Sequence, residues 1–110
     1  MKIDYVELAS NDIAATSAFL GAAFDWGFVD YGPEYKGFTE AGIDGGIDGS
    51  AERPPGAPLV ILKADDLDAA LDKVVAAGGV ITRAPYAFPG GRRFYFREPG
   101  GNQMAVWAEK

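Results

Sequence analysis

Tyr5 and Glu7 stand two residues apart in the run Tyr5-Val6-Glu7-Leu8. In an extended chain residues i and i+2 share a face, so a phenol and a carboxylate would project side by side. If burial raised the proton affinity of Glu7, the pair could serve acid/base chemistry such as an isomerisation or an elimination. Other readings of Glu7 stay open: an ion pair with Lys63 or with an arginine across a sheet, or direct contact with a ligand. Asp44 and Asp48 sit in the glycine-rich run at 42–49, GIDGGIDG. They read as turn residues, with oxygen ligation of a cation as the alternative. The run makes a poor phosphate loop, because it lacks the lysine and the following helix that such loops need. A strand with close backbone approach or bulges accounts for it better.

The chain has no histidine and no cysteine. Without imidazole there is no Ser-His-Asp triad and no histidine-held zinc or iron, so any metal would be held by oxygen alone. Without thiols there is no disulfide frame, which favours a reducing compartment. The chain of 110 residues is 48% hydrophobic and 13% aromatic, which fits one globular domain and excludes a disordered one. A formal net charge of −6 argues against nucleic acid as a partner, since phosphate neutralisation needs a basic face. Asp4 and Glu7 interrupt the apolar stretch that a secretory leader would need, and no run approaches the length of a membrane span. The expectation is a cytoplasmic protein with no nucleic-acid or membrane partner.

The elements that must position these residues are written twice. In YVELASNDI (5–13) and LVILKADDL (59–67), Val6 matches Val60, Leu8 matches Leu62, Asp12 matches Asp66 and Ile13 matches Leu67, at one constant offset. Each copy reads as a strand, an Asp-capped helix and three further strands. Ile13, Ser17, Leu20 and Phe24 recur at helical spacing in the first helix, as do Leu67, Leu71, Val74 and Val75 in the second. Strands are expected at 28–31, 35–41 and 43–49, then at 80–84 or slightly beyond, 93–97 and 103–108. The proline-rich stretch at 50–57 reads as a linker between halves at about 1–49 and 58–110. This predicts an α+β fold of two βαβββ repeats forming a curved mixed sheet, whose uncovered face encloses a pocket.

The paired βαβββ units, the first helix NDIAATSAFLGAAFDW (11–26) and the late turn FREPGGNQ (96–103) resemble the vicinal oxygen chelate superfamily. That family includes glyoxalase I, bleomycin and fosfomycin resistance proteins, methylmalonyl-CoA epimerase and extradiol dioxygenases. The resemblance is to its small single-module, glyoxalase-like members, and it implies the glyoxalase/bleomycin resistance fold and a homodimer. It also implies four metal positions. Three fall on Tyr5, Leu59 and Ala105, and the fourth lies near 43–49. Leucine and alanine offer no lone pair and a neutral phenol is a poor ligand for a divalent ion. The expectation is therefore no metal and no cofactor.

If those positions face the bare side of the sheet, alternation lines it with Tyr5, Glu7, Leu59, Ile61, Gln103, Ala105 and Trp107. Val6, Leu8, Val60, Leu62, Met104 and Val106 then face the helices as core. A wall of this kind suits a small, partly aromatic ligand. Trp107 reads either as a stacking platform or as a packing residue. Tyr35 and Tyr95 line either the cavity or a subunit interface, and Arg92-Arg93 reads as a solvated strand start. The functional expectation is a metal-independent small-molecule binder. The alternatives are a lyase or isomerase using Glu7 as its acid/base and a metal-dependent lyase with an unusual oxygen site.

Overall fold

The computed structural model of the chain describes residues 1–50 and 55–110; of the expected linker at 50–57, residues 51–54 lie outside the described residues. Among the described residues the fold is α+β, with two helices and eight strands in two βαβββ runs. The first run is β1 (Lys2–Ala9), α1 (Ile13–Phe24), β2 (Gly27–Asp30), β3 (Tyr35–Thr39) and β4 (Asp44–Asp48). The second is β5 (Leu59–Lys63), α2 (Leu67–Ala76), β6 (Val80–Phe88), β7 (Gly91–Arg97) and β8 (Gln103–Ala108). The chain forms two compact units: Tyr5–Pro58, and Leu59–Lys110 together with Met1–Asp4.

In the first unit the strand order is β2-β3-β4-β1, with β1 parallel to β4 and the other pairs antiparallel. A parallel pair needs a long crossover, and α1 begins it. Asp12 is the N-cap of α1; its carboxylate accepts from the Ala15 N–H at 3.0 Å. The helix ends at Asp25, whose φ of 60° puts it in the left-handed region and turns its N–H back to the Gly21 carbonyl. Ile47 and Phe38 are buried. The Phe38 ring lies against Gly45, where a Cβ would overlap both that ring and the Val6 carbonyl. The glycine run is thus a strand that needs close approach.

The second unit repeats the plan with order β5-β8-β7-β6 and β5 parallel to β8. Asp66 caps α2 by accepting from the Ala69 N–H at 3.1 Å. Leu67 and Ala70 of α2 bury against Phe94, Phe96, Val106 and Ala108, which form one apolar cluster with Ala64. Burial of this kind contributes roughly 25 cal/mol per Å² of apolar surface removed from water.

Two local expectations change. The strand expected at 80–84 or slightly beyond runs on to Phe88, through Pro85, and the β6–β7 register shifts at two places along it. The division of burial also differs. Leu59, Ile61 and Ala105 are fully buried, whereas Val6, Leu8, Val60 and Leu62 are only half-buried. The helices account for this: α2 packs mainly on β6, β7 and β8, and α1 on β4, so neither fully covers the first strand of its repeat.

Candidate functional site

Alternation along β1 puts Tyr5 and Glu7 on one face, and its pairing with β4 sets Tyr5 beside Asp44, Glu7 beside Gly46 and Ala9 beside Asp48. This fixes the register of the glycine-rich strand. On the next strand Tyr35 is paired with Asp48 and shares that face. Its ring reaches across the sheet over Gly46, where a Cβ would overlap the Tyr35 ring and hydroxyl. Glycine at 46 is therefore what lets Tyr35 reach β1.

The Tyr35 hydroxyl donates to Oε2 of Glu7 at 3.0 Å and lies 2.5 Å from the Tyr5 hydroxyl. A phenol has one proton, so when Tyr35 donates to Glu7 its oxygen accepts from Tyr5. The result is a directed chain from Tyr5 through Tyr35 to the Glu7 carboxylate. Glu7 is 3% exposed. Burial, and next the negative charge of Glu7, push the Tyr35 phenol well above its ordinary value of 10.0, so it remains a neutral donor. Such a chain can orient a carboxylate and pass a proton along oxygen atoms.

The other expected ligand-binding residues belong to the second unit. Ile61 of β5 pairs with Ala105 of β8, and both are buried, as is Leu59. Gln103 is exposed at the start of β8. Trp107 is half-buried, and its indole N–H donates to Asp4 at 3.1 Å. The Lys63 ammonium stands 5.0 Å from its ring centre, and Phe88 meets it edge-on at 6.1 Å. Lys63 forms an ion pair with Glu109 at 2.9 Å, and the contact raises the lysine's proton affinity and lowers that of Glu109.

Arg93 and Tyr95 share this face, Arg93 beside Trp107 and Tyr95 beside Ala105. The Arg92-Arg93 doublet is therefore split. Arg92 reaches Asp68 on α2 at 3.7 Å, while Arg93 turns to the opposite side and is half-buried there. The alternation Arg93-Phe94-Tyr95-Phe96 carries that signal, with both phenylalanines in the α2 core.

The donor set for the metal that the resemblance implies does not fit. Leu59 and Ala105 are alkyl and buried, and the Tyr5 hydroxyl bonds to Tyr35. On β4 the neighbour of Tyr5 is Asp44, an exposed residue at the rim of an open depression of about 410 Å³ lined by residues 40–44. Among the described residues no group of three or more Asp or Glu side chains is placed to hold an ion.

The profile of the Glyoxalase/Bleomycin resistance protein/Dioxygenase superfamily matches residues 2–106. The chain belongs to this superfamily. Similar members include CFP32 of Mycobacterium tuberculosis, provisionally named a glyoxylase, at 29% identity over 94% of this chain and 44% of that protein. The anthracycline biosynthesis protein DnrV of Streptomyces peucetius is 31% identical over 94% of this chain and 45% of its own length. The chain thus spans less than half of the curated relatives that it matches. Among solved structures, the methylmalonyl-CoA epimerase of Mycobacterium tuberculosis superposes with a TM-score of 0.72 at 14% identity, over 96% of this chain and 86% of that one. The Mn(II)-bound glyoxalase of Novosphingobium aromaticivorans gives 0.71 at 24% identity, over 98% and 38%. At these identities the likeness is one of fold. Among the described residues no helix is long and apolar enough to cross a membrane.

Proposed function

We propose that this glyoxalase-superfamily chain binds a small, partly aromatic molecule without a metal ion, on the sheet face of the second unit that carries Ala105 and Trp107. The observation that carries the reading is the chemistry at the implied ion positions: Leu59 and Ala105 are alkyl and buried, and the Tyr5 hydroxyl is bonded to Tyr35. The relative named for anthracycline biosynthesis, at 31% identity, supports an aromatic ligand. Trp107, half-buried, then supplies the aromatic contact. The homodimer and the cytoplasmic setting belong to the same proposal.

A thermal-shift screen with aromatic metabolites and aromatic antibiotics, run after exhaustive chelation, tests it. A ligand at a hundred times its Kd stabilises by about 2.7 kcal/mol, an easily measured rise in Tm. No stabilising compound across a broad panel, or stabilisation that appears only on restoring a divalent ion, counts against the reading.

A second reading is favoured by the burial of Glu7 under the Tyr35 hydroxyl: a metal-free lyase or isomerase with Glu7 as acid/base and Tyr35 holding it. Turnover that is abolished in Glu7→Gln, with the fold and ligand binding intact, separates catalysis from binding.

A further inference from the structure

A helix on the surface of a globular protein is apolar along one stripe and polar along the other, and a helix apolar all round is a buried one. α2 follows this rule: Leu67 and Ala70 are buried, while Asp68, Asp72 and Lys73 are exposed. α1 does not. Its twelve residues contain none of the chain's ten basic and sixteen acidic residues. Ser17 is buried and Ile13, Thr16 and Leu20 are half-buried in the helix that packs on β4. Ala15, Ala18, Phe19, Ala22 and Ala23 lie exposed along the other side. Phe24 is exposed as well, although helical spacing sets it with Ile13, Ser17 and Leu20.

This outer face is anchored to the core. Phe19 is 63% exposed and Phe24 57%, and their rings meet edge-on with centres 6.1 Å apart. The Phe24 ring centre is 6.1 Å from that of Trp26, which is 4.9 Å from that of the buried Phe38. A row of rings thus runs from solvent into the first unit. Side chains already held in this way lose little rotamer freedom when a partner covers them.

We infer that the outer face of α1, centred on Phe19, is the contact through which two copies of this chain pair. Charge selects the second copy as the occupant. Two molecules of net charge −6 repel, and they meet at least cost where neither brings a charge. An uncharged apolar face also complements itself, as a two-fold contact requires, whereas a strongly basic or acidic partner finds no counter-charge on it. A phenylalanine presents about 200 Å² when fully exposed, so the two rings offer roughly 240 Å² per copy. The exposed alanines extend this along a helix about 18 Å long. That area sets the contact at the small, reversible end of specific interfaces. The inference rests on the homodimer proposed above and adds the face that forms it.

Sedimentation velocity of the purified chain, from about 1 µM to about 1 mM, tests it. The parent chain should pass from monomer to dimer across this range, and raising the salt from about 0.05 to 0.5 M should tighten the dimer by screening the repulsion. Phe19→Glu and Ala22→Glu should each weaken pairing at least tenfold. Val75→Glu adds the same charge at an exposed position of α2 and should leave pairing within about twofold of the parent. All three positions are exposed, so the variants keep the fold, which thermal unfolding verifies. A dimer that persists in both α1 variants, that Val75→Glu weakens equally, or that salt dissociates overturns the α1 contact and leaves the homodimer to another face. A parent chain that stays monomeric throughout overturns both and assigns the face to a different partner, while the small-molecule reading stands on its own thermal-shift test.

Discussion

The Tyr35 hydroxyl donates to the buried Glu7 carboxylate at 3.0 Å, and it does so from a ring laid over Gly46. A strand residue two positions across the sheet reaches Glu7 only because the intervening residue has no side chain. The chemistry of the site and the composition of the glycine-rich strand are therefore one fact.

Tyr35→Phe keeps the ring and removes the donor. It leaves a buried carboxylate short of a hydrogen bond, a loss worth about 1–3 kcal/mol. Urea unfolding should show a lower midpoint with an unchanged slope. Tyr5→Phe, at the far end of the chain of hydroxyls, should cost less.

Gly46→Ala places a methyl group where the Tyr35 ring lies. Overpacking of this kind costs about 1–3 kcal/mol. In a Tyr35→Ala background the obstruction is gone, so the same substitution should cost measurably less. The double-mutant cycle reads that coupling directly, and additive costs would contradict it.

Glu98 organises the turn before β8. Its carboxylate accepts from the Gly100 and Asn102 N–H groups and from the Asn102 side-chain amide, and the backbone bonds from Asn102 and then Gly100 hold its proton affinity below the ordinary 4.5. A carboxyl depressed in the folded state adds stability above its unfolded-state value and loses it as pH falls through the folded-state value. Stability measured from pH 7 down to about 3 should therefore fall less steeply in Glu98→Gln than in the parent chain.

Phe94 is fully buried at the centre of the α2 cluster. Phe94→Ala should destabilise by about 3–5 kcal/mol, the usual cost of emptying an aromatic core position, as read by chemical denaturation.

The repeat, the capping residues Asp12 and Asp66 and the close approach in the glycine run were legible in the sequence because each follows from local chemistry: alternation, an orphan helical N–H, a missing Cβ. The partnership of Tyr35 with Glu7 was not legible, since it depends on the joint register of β1, β4 and β3 rather than on any one strand. Arg83 was hidden for a different reason: period-two alternation assigns it to the face of Ile81, and the register shift between the two residues reverses that. Arg93 was read with Arg92 as solvated, although alternation within β7 separates them, one to Asp68 and one to Tyr86 and Tyr95. Burial of Leu59 and Ile61 above Val60 and Leu62 required knowing which strands the helices cover.

The central claim is that this superfamily member works with organic contacts where its implied ion ligands would stand. Calorimetric titration of chelated protein with Mn(II), Ni(II) and Zn(II) tests it most directly. The account predicts no stoichiometric binding tighter than about 0.1 mM, because Leu59 and Ala105 supply no lone pairs. A single site per chain of about micromolar affinity or tighter, lost in Glu7→Gln, would contradict it.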